Sequence, residues 1–505
     1  MNQPAVLSAE EMRAAEQAAI ANGVASASLM ETAGRHVADI AMRAWSKRPV
    51  VIICGPGNNG GDGYVAARLI AEAGWPVKVA FLGVQEKLQG DAKLMAGLYQ
   101  GEAEPFASKS LAGAGLIIDA IFGTGLTRAV EGDAKAAIEA INAHPAPVLS
   151  VDIPSGVSAD EGAILGTALQ AARTVTFHAK KPAHLLFPGR ALCGAVDVVD
   201  IGITGAVEAK TFENHPALWG GRFPRASWQG HKYVRGHVMC VSGGPMNTGA
   251  ARLAADGALR IGAGLVTMLS PTAAAPVHAA HLTAVMLREA NSAEDISGHM
   301  KDAKKSRLAV VIGPAAGVGE ETREKTLAIL KSGAGAVLDA DALTSFEDQH
   351  DQLFEVLRPD DVLTPHGGEF ARMFAGGTIA AGKLKAARAA AKRAGCVVVL
   401  KGPDTVIASP NGLAIINSNA PPDLATAGSG DVLAGFIAGL KAQGMTGLEA
   451  AAAGVWVHGA CGQAVGPGLI AEDLPRAVPA VLRSLFAPPQ QQPDEAVQEP
   501  GAAQQ

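Results

Sequence analysis

The stretch Ala425-Thr-Ala-Gly-Ser-Gly-Asp-Val-Leu-Ala-Gly435 joins a glycine-rich turn to an apolar helix, predicted from Val432 to about Leu440. The first backbone N–H groups of a helix have no internal partner, so this turn offers an anion site. The glycines let a phosphate approach the main chain. Because the carboxylate of Asp431 would repel an anion, it suggests a second task, such as deprotonating a hydroxyl or binding a metal. The alternative interpretation is an ordinary N-cap aspartate.

The chain has 505 residues, which is too long for one ordinary core and predicts two or more domains. Its composition, 48% hydrophobic and 18% charged, is typical of a packed α/β protein. The net charge of −6 without a basic stripe argues against nucleic acid as the main partner. We find no signal peptide and no apolar run that would span a bilayer, so we expect a cytoplasmic protein without a membrane partner.

A strand–loop–helix unit begins the first half of the chain. The apolar run Pro49–Cys54 is predicted as a buried parallel strand, followed by the glycine loop Gly55–Gly63 and a helix over Tyr64–Ala73. The next strand, Val77–Leu82, carries no acid at its end to hold a ribose, which disfavours an ordinary NAD-dependent dehydrogenase. The loop also holds three crowded polar residues whose oxygens suit a cation or a ribose, namely Asn58, Asn59 and Asp62.

Two more strands deliver polar side chains at their carboxyl ends. The stretch Leu116–Gly125 carries Asp119, and the stretch Val148–Gly156 carries Asp152 and Ser155. Ligands of open parallel sheets bind outside the carboxyl ends of the strands. We therefore expect these residues and the glycine loop to meet at one site, although helix capping is the alternative for any single aspartate.

The pattern divides the chain into two α/β domains. We predict a first domain over residues 1–212, a linker over 213–229, a second domain over 230–486 and a disordered tail over 487–505. The linker assignment rests on its prolines and glycines and on the lack of periodicity. The tail is rich in Pro, Gln, Ala and Glu, with almost nothing to bury.

The motifs of both halves resemble known families. The first half resembles an NAD(P)H-hydrate epimerase with a Rossmann-like parallel sheet, through Gly57–Gly63, Asp119–Gly125 and Val151–Gly156. The second half resembles the ADP-dependent NAD(P)H-hydrate dehydratases, whose fold is ribokinase-like. The matching residues are His231-Lys232, Gly262–Val266, Thr364–Glu369, Lys401–Thr405 and Ala427–Asp431. The order of the halves matches the fused bacterial repair enzyme.

This resemblance implies a substrate that is a nicotinamide cofactor hydrated at C6 of its reduced ring. The first domain would interconvert the R and S epimers of NADH or NADPH hydrate. The second would remove water from the S epimer while consuming ADP, with Mg²⁺ accompanying the nucleotide. We also expect a homo-oligomer. The alternatives are a small-molecule hydroxyl kinase that shares the second fold, and a nucleotide sensor without enzymatic activity.

For the first site, the resemblance implies that Asn59, Asp119 and Ser155 bind a potassium ion, and three oxygen-bearing side chains suit such a hard cation of low charge. Asp152 is our candidate acid–base group, by its position alone. The residues implied to contact the substrate are Asn58, Asn59, Gly60, Gly61, Asp62, Gly123, Thr124, Gly125, Leu126, Thr127, Arg128, Ala129 and Asp152.

For the second site, Asp431 is implied to be the base that accepts a hydroxyl proton during phosphoryl transfer. The segment implied to meet ADP comprises Lys401, Gly402, Pro403, Asp404 and Thr405, together with Gly430. The residues implied to contact the hydrated cofactor are Ala251, Gly317, His366 and Asp431. Asp339 and Asp341 are possible outer ligands of Mg²⁺, with strand-end capping as the alternative.

Overall fold

The computed structural model describes residues 4–204, 208–303, 307–374, 379 and 382–487. These residues form two sheets with helices packed on their faces, which confirms the prediction of a two-domain α/β protein. Among the described residues, no helix is both long enough and apolar enough to cross a membrane. Apart from Ala487, the tail predicted over residues 487–505 lies outside the described part of the chain.

The first sheet is parallel throughout, with the strand order β4-β3-β2-β5-β6-β7-β8. The strands of this half are β1 (Ala5–Val6), β2 (Val50–Cys54), β3 (Val77–Phe81), β4 (Ala103–Pro105), β5 (Leu116–Ala120), β6 (Val148–Val151), β7 (Arg173–Phe177) and β8 (Ala195–Val199). Its helices are α1 (Ala9–Ala21), α2 (Ser26–Ala44), α3 (Asn58–Glu72), α4 (Gly90–Leu98), α5 (Gly132–Asn142) and α6 (Gly189–Leu192). The central strands β2, β5 and β6 are fully buried, because helices cover both faces of the sheet.

The second sheet has the strand order β1-β9-β18-β17-β16-β15-β14-β13-β10-β11-β12. Its other strands are β9 (Thr211–Glu213), β10 (His237–Val241), β11 (Leu265–Ser270), β12 (Met286–Glu289), β13 (Leu308–Ile312), β14 (Gly335–Leu338), β15 (Val362–Leu363), β16 (Val397–Leu400), β17 (Val406–Ala408) and β18 (Ala414–Ile416). The run from β12 to β16 is parallel, whereas β17 pairs antiparallel with both of its neighbours.

Helices also flank the second sheet on both faces. They are α7 (Thr248–Arg260), α8 (Ala275–His281), α9 (Ala293–Asp302), α10 (Glu320–Lys331), α11 (Ala340–Thr344), α12 (His350–Phe354), α13 (Gly367–Met373), α14 (Lys383–Ala394), α15 (Ser429–Ala442), α16 (Gly447–Val465) and α17 (Asp473–Leu485). Helix α15 is buried almost throughout and packs against α7 and α16 in the main core of this domain. The turn at the head of α15 is therefore held rigidly by the core beneath it.

Two segments near the predicted domain boundary pair or pack with the second sheet. Strand β9 adds to the free edge of β18, and β1 from the start of the chain adds to β9. Part of the segment predicted as a linker over residues 213–229 packs on the second sheet, with Trp219 and Phe223 in its core, whereas residues 225–229 are exposed. Proline and glycine mark irregular backbone but do not prevent burial, and these two aromatic side chains gain by leaving water.

Two candidate active sites

The first candidate site lies where β2 runs into α3. The helix begins at Asn58, not at Tyr64 as predicted, so the polar part of the glycine loop forms the first helical turns. A side chain at Gly60 would place its Cβ 2.0 Å from the carbonyl oxygen of Gly55, and one at Gly63 would lie 2.6 Å from Cβ of Ala120. Only glycine permits this approach, which brings the amino end of α3 onto the carboxyl ends of β2 and β5.

Asp119 and Ser155 meet as the strand-end argument predicts. The Ser155 hydroxyl donates to Oδ1 of Asp119 at 2.6 Å, and the Ser155 N–H donates to Oδ2 at 2.9 Å. Ser150 and the N–H of Ile121 donate to the same carboxylate. Burial raises the pKa of Asp119, and the hydrogen bonds from Ser155 counter only part of that rise. Within the described residues this fully buried carboxylate has no cationic side chain in salt-bridge range.

Asn59 and Asp152 both lie close to Gly123. A Cβ at Gly123 would be 3.0 Å from Oδ1 of Asn59 and equally close to Oδ2 of Asp152. The Nδ2 atom of Asn59 is buried and has no hydrogen-bond partner among the described residues, and an unpaired buried amide is costly unless a ligand satisfies it. This NH₂ group is a donor and cannot bind a metal, so it suits an acceptor on a ligand. The oxygens of the Asp119 carboxylate, the Ser155 hydroxyl and the Asn59 amide form the donor set whose chemistry fits a monovalent cation.

Asp152 is held by a lysine that the sequence analysis missed. The Lys181 ammonium group, which is 1% exposed, donates to Oδ1 of Asp152 at 2.7 Å and to the Thr176 hydroxyl at 2.8 Å. Thr176 donates to the same carboxylate oxygen, and the N–H of Thr124 donates to Oδ2. Burial raises the pKa of Asp152, but the charge and hydrogen bond of Lys181 outweigh burial, so the pKa lies below its usual value.

Other ionisable groups surround Asp152. Burial raises the pKa of Asp62 well above its usual value, and the charges of Asp152 and Glu16 add to the rise. Burial followed by the charge of Asp152 raises the pKa of Glu16, on α1. His184 lies within 2.9 Å of the Asp152 carbonyl oxygen, and burial followed by the charge of Lys181 lowers its pKa to about 4. The site thus combines an ionised carboxylate with a carboxyl group that holds its proton at higher pH.

A sequence signal for the missed residues does exist. Lys181 and His184 follow the end of β7, the strand next to β6, in the run Lys180-Lys181-Pro182-Ala183-His184. The carboxyl end of β7 therefore lies beside those of β5 and β6, where ligands of parallel sheets bind. Glu16 has no comparable signal, because it lies on an amphipathic helix distant from the strand ends in sequence.

The loop over residues 123–129 covers the same edge of the first sheet. Gly123, Thr124 and Leu126 are half-buried, whereas Gly125, Thr127, Arg128 and Ala129 are exposed. The structure thus brings this loop to the side of the cleft that holds Asn59 and Asp152. Its contact with a substrate stays a prediction.

The second candidate site lies at the amino end of α15. Gly428 caps the helix with φ at 86°, a left-handed conformation that glycine adopts freely. Asp431 lies in the first turn, where the unpaired amides point outward. From below, Nε2 of His458 lies within about 3 Å of both the hydroxyl and the carbonyl oxygen of Ser429. Burial lowers the pKa of His458 to about 4, so this contact is with a neutral imidazole.

Asp431 shares its surroundings with two other carboxylates and a lysine. Lys401 donates to Oδ1 of Asp339 at 2.6 Å, and a Cβ at Gly430 would lie 3.4 Å from the Lys401 Nζ atom. Burial and the charge of Asp339 raise the pKa of Asp431 to about 6, with Lys401 opposing them and Asp341 adding to them. A carboxylate with a pKa in this range is suited to exchange a proton near neutral pH.

The other residues implied to contact the hydrated cofactor lie in different surroundings. The Gly317 N–H donates to the Asp341 carboxylate at 2.9 Å, so this pair lies together after β13 and β14. His366 caps α13, because its Nδ1 atom accepts from the N–H of Gly368 at 2.9 Å. Ala251 is 1% exposed in the core between α7 and α15, and its contact with the hydrated cofactor stays a prediction.

The segment from Lys401 to Thr405 forms a braced turn after β16. Thr405 and Gly402 exchange hydrogen bonds, with the Thr405 hydroxyl 2.9 Å from the Gly402 carbonyl oxygen. The buried Asp404 binds the ammonium group of Lys383 at 2.6 Å and accepts from the Phe187 N–H of the first domain. Asp404 therefore stabilises the turn. Lys383 and Phe187 also lie at this site, and no sequence motif predicted their positions.

Comparison with known proteins identifies both halves. Residues 26–183 match the family model described as YjeF-related protein N-terminus, and residues 238–474 match the one described as NAD(P)H-hydrate dehydratase. A bifunctional NAD(P)H-hydrate repair enzyme of Moorella thermoacetica is 39% identical over 90% of this chain and 92% of its own length. The enzyme of the same name from Salinibacter ruber is 34% identical over 96% of this chain and 97% of its own length.

Solved structures agree with the fold of the second half. A ribokinase-like superfamily protein of Enterococcus faecalis superposes with a TM-score of 0.50 and 22% identity, covering 56% of this chain and all of that one. This confirms the predicted ribokinase-like fold. The two family models and the full-length relatives confirm the predicted pairing of an epimerase with a dehydratase, and they do not favour the kinase alternative. The chain therefore belongs to the family of bifunctional NAD(P)H-hydrate repair enzymes.

Proposed function

We propose that Asp431 is the base of the dehydratase reaction and that ADP is its co-substrate. The observation that carries this proposal is the position of the carboxylate, in the first turn of α15 beside Lys401, with its pKa raised to about 6. Lys401 supplies a point charge for phosphate, and the amides of Gly428 to Gly430 supply hydrogen bonds. The chemistry of the site is thus suited to phosphoryl transfer onto a hydroxyl group.

Hydroxide is a poor leaving group, so the C6 hydroxyl of the S epimer is first phosphorylated. Asp431 takes its proton as the oxygen bonds to the terminal phosphorus of ADP, and the bond from that phosphorus to AMP breaks. The lone pair of the ring nitrogen then expels inorganic phosphate from C6. Loss of a proton from the neighbouring carbon restores the ring double bond, and the products are NAD(P)H, AMP and phosphate.

For the epimerase, we assign the acid–base role at the damaged ring to Asp152. Epimerisation at C6 requires either the C6–N bond to break and re-form, through an opened ring, or the C6–O bond to do so, through a dehydrated ring, and each route needs a proton carrier. Lys181 and Thr176 orient the Asp152 carboxylate, and Asp62 holds a proton at higher pH than an ordinary carboxyl group. The residues from Asn58 to Asp62 and from Gly123 to Ala129 would enclose the substrate.

Two metal ions complete the proposal. Asn59, Asp119 and Ser155 would hold potassium, whose charge would compensate the buried Asp119 and the diphosphate of the substrate. Mg²⁺ would accompany the nucleotide, with Asp339 and Asp341 as outer ligands. Because Asp339 already binds Lys401, Asp341 is the better placed of the two. Cytoplasmic location and a homo-oligomeric state stay predictions.

The test uses a mixture of NADH-hydrate epimers with ADP and Mg²⁺, followed by the recovery of dihydronicotinamide absorbance. We expect Asp431→Ala to abolish recovery, because no other group in the turn replaces the base. We expect Asp152→Ala to retain a fast phase from the S epimer, while the remainder recovers only at the spontaneous rate of epimerisation.

Each variant is the control for the other. Asp431→Ala should still interconvert the epimers at the wild-type rate, which shows that the first domain is folded and active. Full recovery in Asp431→Ala would exclude this carboxylate as the base. A single fast phase in Asp152→Ala would exclude Asp152 from the epimerase reaction.

A further inference from the structure

A cavity of about 420 Å³ lies where the two domains meet, beside the turn that begins at Lys401. This volume falls within the usual range for small-molecule sites. The second domain lines it with residues that include Lys383, Lys401, Gly402 and Asp404. The first domain contributes the opposite wall, formed by Glu161, Ala163, Phe187 and Pro188. The turn proposed to bind ADP therefore faces side chains of the epimerase domain.

Direct contacts fix the two walls relative to each other. The Phe187 N–H donates to Oδ2 of Asp404 at 2.9 Å, within the proposed ADP-binding turn itself. Nη2 of Arg190 donates to the carbonyl oxygen of Ser418 at 2.6 Å. Because these bonds join main chain and buried groups across the boundary, the wall from the first domain is a built part of the cavity.

Glu161 presents a carboxylate to this cavity, and Phe187 presents a partly exposed ring. Glu161 is half-buried, and no salt bridge to it occurs among the residues that the structure describes. Its Oε2 atom lies against the main chain at Gly382, where a Cβ would be 2.5 Å away. The Phe187 side chain is 41% exposed, and the Arg190 guanidinium lies 5.4 Å from its ring centroid.

The two walls differ in the chemistry that they offer a nucleotide. Lys401 and the amides at the head of α15 suit the phosphates, whereas the Glu161 carboxylate would repel them. A carboxylate accepts hydrogen bonds from a pair of hydroxyl groups, and an aromatic face stacks on a nucleobase. The side of the cavity formed by the first domain thus suits the nucleoside part of the nucleotide.

We infer that the epimerase domain completes the nucleotide site of the dehydratase: Glu161 binds the ribose hydroxyls of ADP, and Phe187 stacks on its base. This inference rests on the proposed ADP site at Lys401 to Thr405. It makes both residues determinants of nucleotide affinity and specificity in a reaction whose chemistry takes place in the other domain.

The experiment compares ADP with 2′,3′-dideoxyADP in the dehydration of the S epimer by the full-length enzyme. The wild type should show a KM about tenfold higher for the analogue, which lacks the hydroxyl groups that bind a carboxylate. In Glu161→Ala, the KM for ADP should rise about tenfold and match the KM for the analogue. Phe187→Ala should raise both KM values about fivefold or more, while Phe187→Tyr should keep the wild-type values.

Several readouts separate this effect from unfolding. The kcat of the dehydratase should change less than twofold in Glu161→Ala, and its Tm and epimerase rate should stay at wild-type values. Val198→Ala, an exposed apolar position on β8 of the same domain, serves as the matched control with unchanged KM.

If Glu161→Ala keeps the wild-type ratio of the KM for 2′,3′-dideoxyADP to the KM for ADP, Glu161 does not bind the ribose hydroxyls. If Phe187→Ala leaves the KM values unchanged, Phe187 does not stack on the base. Lys401→Ala is measured alongside and should raise the KM for both nucleotides. If Lys401→Ala also leaves both KM values unchanged, the proposed ADP site itself is wrong, which distinguishes the two failures.

Discussion

In the first domain, Lys181 forms a salt bridge with Asp152 at 2.7 Å. In the second domain, Lys401 forms its salt bridge with Asp339, at 2.6 Å. The pKa of Asp152 is consequently lowered, against the effect of burial, while burial and the charge of Asp339 raise the pKa of Asp431 to about 6. Both sites contain an aspartate and a lysine. They differ in which carboxylate the lysine binds.

This difference matches the two chemistries. A carboxylate that accepts a proton during phosphoryl transfer and then releases it works best with a pKa near the working pH. A carboxylate with a permanent cationic partner has a lowered pKa and stays ionised, ready to accept a proton, at lower pH. The same pair of residue types therefore yields a carboxylate with a raised pKa in one domain and a carboxylate with a lowered pKa in the other, and each prediction below changes one partner.

The largest effect should come from Lys181→Met. Removing the ammonium group leaves the buried Asp152 without its cation, which costs about 3–5 kcal/mol in the free energy of unfolding. Denaturant unfolding of the full-length enzyme measures the loss. The double variant Lys181→Met, Asp152→Asn removes both charges and should recover most of it. If Lys181→Met alone is as stable as the wild type, Asp152 does not depend on this partner.

A smaller effect should appear in the pH dependence of stability, which Asp431 and Asp152 should change in opposite directions. The folded pKa of Asp431 is raised from 3.8 to about 6, so the folded state favours the protonated carboxyl group. The contribution of this group to stability is fully present below pH 3.8 and is lost as pH rises through 6. Asp431→Asn should therefore stabilise the enzyme at neutral pH, by about 1–2 kcal/mol after allowance for solvent screening. The gain should vanish below pH 3.8.

Asp152→Asn provides the opposite case. The folded pKa of Asp152 lies below 3.8, so its contribution to stability is present above that pH and is lost as pH falls through the folded pKa. Asp152→Asn should therefore destabilise the enzyme at neutral pH, and Tm values measured across the pH range compare the two variants. Stability changes of the same sign in both would contradict the contrast between the sites.

The sequence supported much of this picture. Alternation of strands and helices predicted both sheets, and the strand-end argument brought Asp119 to Ser155 and placed Asp152 beside Gly123. These inferences succeeded because the carboxyl ends of parallel strands must share one edge of a sheet. Motif resemblance then supplied the family.

The sequence could not reveal features that depend on packing between distant segments. The start of α3 at Asn58 follows from contacts that glycine alone allows, which a linear pattern does not display. The broken periodicity around Trp219 predicts a linker, yet Trp219 is buried in the core of the second domain. The pairing of Phe187 with Asp404 joins residues from different domains, and the two residues share no sequence motif.

The smallest effect should come from Asp339→Asn. This change removes the negative charge that raises the pKa of Asp431 and frees Lys401, whose charge lowers it. Both consequences act in the same direction, so the acid limb of the pH profile of kcat/KM for the dehydratase should move down from about 6 by about one unit. Asp341→Asn is the matched control, because Asp341 contributes less to the shift and should move the limb less. A limb that stays near 6 in Asp339→Asn would mean that the group observed in the profile is not Asp431, and the contrast between the two lysines would then have no part in catalysis.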